Sequence, residues 1–328
     1  MRALYASRPD AEDPLAAAEV GDRPEPEVPE EWALVDVRAT SLNHHDLWTL
    51  RGVGISADRF PMILGCDAAG VDVTTGDEVV VHAVLSDPAW TGDETLDPRR
   101  TLLSERYPGT MAAQVAVPRA NLIPKPPELS FAEAACLPTA WLTAYRMLFV
   151  KCGLRPGRTV LVQGASGGVA GAAIALARLA GYRVWATART EAKRAAALDL
   201  GAHAAFEPGA RLPDRVDAVI ETVGAATWSH SLKALRPGGR VVISGATTGA
   251  APAAELNRIF FLQLEVVGST MGTRAELADL MALLVSSGLR PRIDRVVPLD
   301  DGPEALRAMA EGELIGKAVV EPSWGGAS

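Results

Sequence analysis

Short runs of aliphatic and β-branched residues alternate through the middle of the chain with longer stretches whose apolar positions recur at helical spacing. TVLVQG (159–164), RVWATA (183–188), DAVIET (217–222) and RVVISG (240–245) read as buried strands, with helices over about 168–180, 191–200 and 228–235 between them. That alternation predicts a doubly wound parallel sheet. The first 125 residues differ: β-like runs at 32–39, 78–84 and 113–117 are separated by Pro, Gly and Asp, which predicts an irregular, mostly β unit. At 130–150, SFAEAACLPTAWLTAYRMLFV has helical periodicity, Ser130 and Glu133 have the spacing of a capping box, and Pro138 should kink or divide the helix. From Thr273 onward α/β character resumes and ends in the strand-like KAVVEP, while the acidic, proline-rich stretch 10–31 reads as a solvated loop. The chain therefore reads as α/β, an irregular β-rich unit followed by a parallel-sheet domain.

Composition narrows the function classes. A chain of 328 residues exceeds one comfortable core, and 48% hydrophobic with 22% charged residues is ordinary for a globular protein. The net charge of −8 supplies no basic field for nucleic acid or anionic lipid, so any anion site must be local. Cys66, Cys136 and Cys152 form neither a disulfide framework nor a CxxC pair, which favours a reducing compartment. The opening MRALYASRPDAEDPL lacks the apolar core of a secretory signal, and the most apolar stretch, 164–180, is interrupted by Arg178. These features predict a soluble cytoplasmic protein with no membrane partner.

The sharpest motif is VLVQGASGGVAGAAIALARLAGYRVWATAR, a buried strand running through a glycine-rich turn into a helix. Ala165, Gly168 and Gly171 have A-x-x-G-x-x-G spacing, and the cradle comprises Ala165, Ser166, Gly167, Gly168 and Val169. Small residues let backbone approach a pyrophosphate, and the helix N-terminus offers unpaired N–H groups. The same residues would also permit close helix packing, but the complete strand–turn–helix–strand context decides for a dinucleotide. An NAD site places a carboxylate after the second strand. Here stand Ala188, Arg189 and Thr190, with Lys193 one turn on, so NADP(H) is the expected cofactor, its 2′-phosphate met by Arg189 and Lys193. Val223 and Gly245, after the third and a later strand, are candidates for the ribose and nicotinamide end.

Together with SLNHHDLWTLRG (41–52), PMILGCDAAG (61–70), GDEVVV (76–81), GTMAAQVAVP (109–118), AACLPTAWLTAY (134–145), ALRPGGRVVISG (234–245) and GKAVVEP (316–322), that turn resembles the medium-chain dehydrogenase/reductase superfamily, in its zinc-independent quinone oxidoreductase-like branch. The resemblance spans nearly the whole chain. It implies a GroES-like catalytic domain (1–124), a Rossmann cofactor domain (125–265), a C-terminal return to the first domain (266–328), and a homodimer. Zinc-dependent members carry Cys in the segment matching SLNHHDL, His-Glu in that matching ILGCDAAG, and Cys or Asp on the helix matching LPTAWLTAY. This chain has Asn43, Cys66-Asp67 and Thr139, and no cysteine in the 86–107 lobe, so no metal is expected.

Without a Lewis acid, hydride transfer to a conjugated acceptor is easier than ketone reduction, because the charge spreads into an enolate or quinol. The expected activity is NADPH-dependent reduction of a quinone or α,β-unsaturated carbonyl. Asn43 is the candidate donor to the substrate oxygen or holder of the nicotinamide ribose, and Asp67 orients a donor or water. His44 or His45 relays a proton, and Thr139 meets the nicotinamide end. Three other readings stay open: an enoyl-thioester reductase, a zinc-dependent alcohol dehydrogenase with unusual ligands, and a non-enzymatic NADPH-binding protein.

Overall fold

The computed structural model describes residues 1–322 and divides into two compact units. One comprises Met1–Thr139 with the chain from Gly272 onward; the other is Ala140–Met271. The sequence places the joints earlier, at 124/125 and 265/266. Helix Phe131–Ala135 packs on strands of the first unit, and the Gly272 carbonyl lies 2.9 Å from His82 Nε2, so both stretches are held there.

The second unit contains strands β1 (Thr159–Val162), β2 (Arg183–Thr187), β3 (Ala204–Phe206), β4 (Val216–Glu221), β5 (Leu235–Ile243) and β6 (Glu265–Gly268). They pair in parallel in the order β3-β2-β1-β4-β5-β6. Helices α1 (Gly168–Leu179), α2 (Glu191–Asp199), α3 (Ala225–Ala234) and α4 (Leu256–Phe261) lie between them in sequence. Leu161, paired with Trp185 on one side and Val219 on the other, belongs to a buried cluster with Val241, Leu232 and Leu235. Sheet order reverses between β1 and β4, and in such sheets ligands bind beyond the carboxyl ends of the strands at that point. β3 escaped the sequence pattern because AAF is short and half-buried.

The first unit carries a seven-stranded sheet centred on Trp32–Ser41, where Ala33, Val35, Val37 and Ala39 alternate inward. This long strand pairs antiparallel with Ala68–Asp72, Gln114–Pro118 and the late strand Lys317–Glu321. The last pairing aligns Val319 with Ser41 and Val320 with Thr40, which brings the C-terminal return beside the start of helix His44–Leu50. The stretch 10–31 is not wholly a solvated loop. Ala18–Asp22 pairs along its length with Arg2–Ala6, since a strand needs a backbone ladder more than a continuous apolar run.

Ser130 caps helix Phe131–Ala135 as its spacing predicts: its hydroxyl accepts from Glu133 N–H (3.2 Å), and the Glu133 carboxylate accepts from Ser130 N–H (2.8 Å). Past Pro138 the helix widens into π-type turns at Leu137–Trp141 and Arg146–Lys151. Replacing Ser130 by Ala leaves a helix donor unmet and is expected to cost about 1 kcal/mol in urea unfolding; an unchanged midpoint would show that the cap contributes nothing.

Candidate active site

In the first unit, the turn from Ser41 into helix His44–Leu50 meets the segment Gly65-Cys66-Asp67. Gly65 has φ of +99°, and a Cβ there would lie 2.4 Å from Thr110 Oγ1, so a glycine must precede the Cys-Asp pair. Asp67 is fully buried, and its Oδ2 accepts from the Ser41 hydroxyl (2.7 Å) and Asn43 Nδ2 (2.8 Å). Its Oδ1 is buried with no hydrogen-bond partner. The buried ammonium of Lys317 donates to the Leu42 carbonyl (2.5 Å) and to Asn43 Oδ1 (2.7 Å), and stands 3.7 Å from Asp67 Oδ2. Asn43 Nδ2 also donates to the Ser41 carbonyl (3.2 Å), so both of its amide protons are committed within the network.

The neighbouring side chains form a second set. Cys66 Sγ lies 3.0 Å from His45 Nδ1, and His45 Nε2 lies 3.1 Å from Glu105 Oε1. Burial first, then the charges of Asp46, Asp67 and Glu105, push the Cys66 thiol far above its ordinary range, so it is no nucleophile. His44 is solvent-exposed but crowded: desolvation, then the charges of Lys317 and Arg51, hold it below the usual imidazole value. Thr139 Oγ1 is buried without a partner. The structure therefore joins Asn43 and Asp67 directly and leaves His44 and Thr139 outside their hydrogen-bond network. Lys317 is the residue that sequence reasoning missed; its signal was a lysine opening an otherwise apolar strand.

In the second unit, β1 runs through Gln163 into the glycine turn. Gly164 has φ of +71°, with Val223 Cγ2 2.8 Å from where a Cβ would stand. Ala165 N–H donates to the Thr187 carbonyl (2.8 Å), and Gly167 precedes α1, whose first residues are Gly168 and Val169. Nothing lies within 4 Å of a Cβ built on Gly167, so this backbone faces open space at the helix N-terminus, the geometry that receives a phosphate. After β2, Arg189 is exposed and Lys193 is buried, its pKa lowered by desolvation and then by the charge of Arg189. Arg194, which the sequence reading overlooked, donates to the carbonyls of Ala188 (3.1 Å) and Arg189 (3.3 Å) and braces this turn. Thr248 N–H donates to the Val223 carbonyl (2.8 Å) and Ala225 N–H to that of Gly249 (3.0 Å), joining the loops after β4 and β5. At Gly245 a Cβ would stand 3.0 Å from the Thr222 carbonyl oxygen.

Residues 29–127 match the family model described as the alcohol dehydrogenase GroES-like domain, and residues 168–286 match that of the zinc-binding dehydrogenases. A solved NAD-dependent alcohol dehydrogenase is 35% identical with a TM-score of 0.90, covering 98% of this chain and 99% of that one. The chain belongs to the medium-chain dehydrogenase/reductase superfamily. It is 33% identical over 98% of its length to the spectinabilin polyketide synthase protein NorB of Streptomyces orinoci, but spans only 14% of that protein. It is 27% identical to the acryloyl-coenzyme A reductase of Sulfurisphaera tokodaii, over 91% of this chain and 95% of the reductase. The 2-octenoyl-CoA carboxylase reductase CinF, solved with NADP and 2-octenoyl-CoA, is 27% identical with a TM-score of 0.89, covering 98% of this chain and 87% of that one.

A zinc-binding family raises the question of whether these residues suit the metal. Asn43 has its amide tied to Asp67 and Lys317, Thr139 offers a hydroxyl, and Cys66 Sγ lies against His45 Nδ1 at 3.0 Å. Among the described residues no group of three His, Cys, Asp or Glu side chains is arranged to hold a metal ion. The donor set does not fit zinc.

Asp46 gives this region a pH signature. Its carboxylate accepts from the N–H groups of Asn43 (2.8 Å) and Gly65 (2.9 Å), yet complete burial raises its pKa from 3.8 to about 6. The folded protein keeps this proton where the unfolded chain has lost it, so Asp46 makes stability fall as pH rises from 3.8 to about 6 and adds no slope above that. Denaturant titrations across this window should show Asp46→Asn removing a decline on the order of 2–3 kcal/mol, apart from a pH-independent cost of placing an amide NH₂ against an N–H donor. An identical slope in both proteins would reject the raised value.

Proposed function

We propose that this chain reduces an α,β-unsaturated thioester with NADPH and without zinc. The observation that carries the proposal is the replacement of a metal-ligand set by the hydrogen-bonded Asn43–Asp67–Lys317 network. An acceptor whose charge delocalises into an enolate needs donors and a proton source and no Lewis acid. The sequence alone favours a quinone or enone, with an enoyl thioester as the alternative. The order reverses because a relative matched over nearly its whole length is an acryloyl-coenzyme A reductase and a structural neighbour was solved with 2-octenoyl-CoA.

When bound, NADPH supplies the hydride to the β-carbon, and a proton goes to the α-carbon. Ala165, Ser166, Gly167, Gly168 and Val169 hold the pyrophosphate, and Val223 and Gly245 line the ribose and nicotinamide end. Arg189 and Lys193 take the 2′-phosphate: desolvation and then the charge of Arg189 lower the pKa of Lys193, and an anion between the two favours its charged form. A structural neighbour is NAD-dependent, but Ala188 offers no carboxylate to the ribose. In the first unit Asn43 acts by position, holding Asp67 and Lys317 in register, while the partnerless Thr139 hydroxyl is the free donor. His44 serves as the proton relay, its pKa held below the ordinary imidazole value by desolvation and then by the charges of Lys317 and Arg51.

Exposed Leu256, Phe260 and Phe261 on α4 and Val266 on edge strand β6 support a homodimer. Three free, buried cysteines suit a reducing cytoplasm, and no helix among the described residues is long and apolar enough to cross a membrane.

With NADPH oxidation as the readout, kcat/KM for crotonyl-CoA or crotonyl-pantetheine is expected to exceed that for a simple quinone by at least about tenfold and to survive EDTA. Faster quinone turnover would restore the first reading; stoichiometric zinc with chelator-sensitive activity would overturn the metal-free one. Arg189→Glu should raise KM for NADPH on the order of tenfold and leave NADH nearly unchanged. Equal effects on the two cofactors would remove Arg189 from the 2′-phosphate site.

A further inference from the structure

Beneath the carboxyl ends of β2, β1 and β4, buried side chains of the second unit form a hydrogen-bonded line that neither the glycine motif nor the proposed cofactor contacts require. Gly164 N–H points to Thr187 Oγ1 (3.4 Å), and the Thr187 hydroxyl donates to Gln163 Oε1 (2.5 Å). Gln163 Nε2 donates to Ser231 Oγ (3.0 Å), and the Ser231 hydroxyl donates to Glu221 Oε2 (2.6 Å). Every link runs in the same direction and ends on a carboxylate. Thr187, Gln163, Ser231 and Glu221 are each almost completely buried.

Among the described residues no cation is paired with the carboxylate at the end. Glu221 instead accepts from the Thr227 hydroxyl (2.8 Å), Val223 N–H (2.7 Å) and Gly224 N–H (3.1 Å). Gly224, at φ of +92°, has no room for a side chain, since a Cβ would stand 2.6 Å from the Gly249 carbonyl oxygen. Glu221 therefore sets the loop after β4, and that loop is bonded in turn to 246–249. At the other end, Thr187 immediately precedes Ala188 and Arg189, and its carbonyl accepts from Ala165. Hydrogen bonds that share donors and acceptors in one direction polarise one another, more strongly away from water. His230 fits the same polarity: Nε2 lies 2.9 Å from the Ala210 carbonyl, which needs the proton there, and leaves Nδ1 to accept from Gln163 (3.0 Å).

We propose that Thr187, Gln163, Ser231 and Glu221 are positioning residues that couple the two ends of the dinucleotide site, so that the loop at the 2′-phosphate and the loop at the nicotinamide ribose are ordered together. The proposal rests on the reading that this unit holds a dinucleotide. None of the four side chains need touch the cofactor; they act through the backbone at 164–165, 188–189 and 222–224.

Half-ligands test it. 2′,5′-ADP reports on the phosphate end and reduced nicotinamide mononucleotide on the other, each titrated by protein fluorescence. Thr187→Val keeps the shape and deletes one hydroxyl at the phosphate end. It is expected to weaken both half-ligands, each on the order of fivefold or more, and to speed amide hydrogen exchange at Val223 and Gly224. Thr187→Ser should restore both affinities. Ser231→Ala, near the other end, is expected to weaken 2′,5′-ADP as well as the mononucleotide, and the double variant should lose less NADPH affinity than the two single losses multiplied together.

If each substitution weakens only the nearer half-ligand, or the double variant is multiplicative, the coupling is overturned. Gln163→Leu cuts the line at its centre; should it fail to fold, the two hydroxyl deletions carry the test unaided. Failure of the cofactor reading has a different signature: wild-type protein would bind NADH and 5′-AMP but not 2′,5′-ADP, and the same variants would then be read with 5′-AMP.

Discussion

A carboxylate taken out of water must be met by a cation or by enough donors to replace its hydration, and both compact units of this chain bury such groups. In the second unit Glu221 is met by two hydroxyls and two backbone N–H groups. In the first, Asp67 is met on one oxygen by Ser41 and Asn43, with the Lys317 ammonium alongside. The two solutions differ in kind. Neutral donors around Glu221 come from its own loop and from α3, so they fix backbone shape. The lysine at Asp67 arrives from a strand more than 200 residues away in sequence, so it ties the C-terminal return to the site.

The same requirement bears on the chemistry proposed for the first unit. A metal would supply positive charge at a point; here an amide and a hydroxyl share the carboxylate with one lysine. Such a site orients groups and offers protons, but it does not present the open cationic position that polarises a simple ketone. Chemistry that generates an enolate is matched to it. On the metal-free reading proposed above, fixed position at the cofactor end matters for the same reason, because more of the rate comes from holding reactants in register.

Much of the fold was legible because its periodicities are strong. The four central strands and three helices of the doubly wound unit fall where alternation of buried runs and helical spacing put them, and Ser130 and Glu133 make the predicted cap. The segment 18–22 was misread because its pairing with Arg2–Ala6 is a backbone event that polarity does not disclose. Among the candidate site residues, motif positions single out Asn43 and Asp67, which the structure joins by a hydrogen bond. They do not single out Lys317: a lysine opening an apolar strand looks like an ordinary end charge until strand pairing brings it beside Asn43 Oδ1.

Local order and residue type are therefore what the sequence by itself determined: which segments are strands and helices, where glycine is obligatory, that a nucleotide turn exists, and that Asn43 and Thr139 stand at two of the motif positions. Those properties depend on neighbours within a few residues. Tertiary structure alone decided that Asn43 spends both amide protons on Asp67 and Ser41, that His45 bridges Cys66 and Glu105, and that Thr187 reaches Glu221 through Gln163 and Ser231. A side chain's hydrogen-bonding capacity is written in its type, but the partner that uses it up is set by packing between segments far apart in the chain.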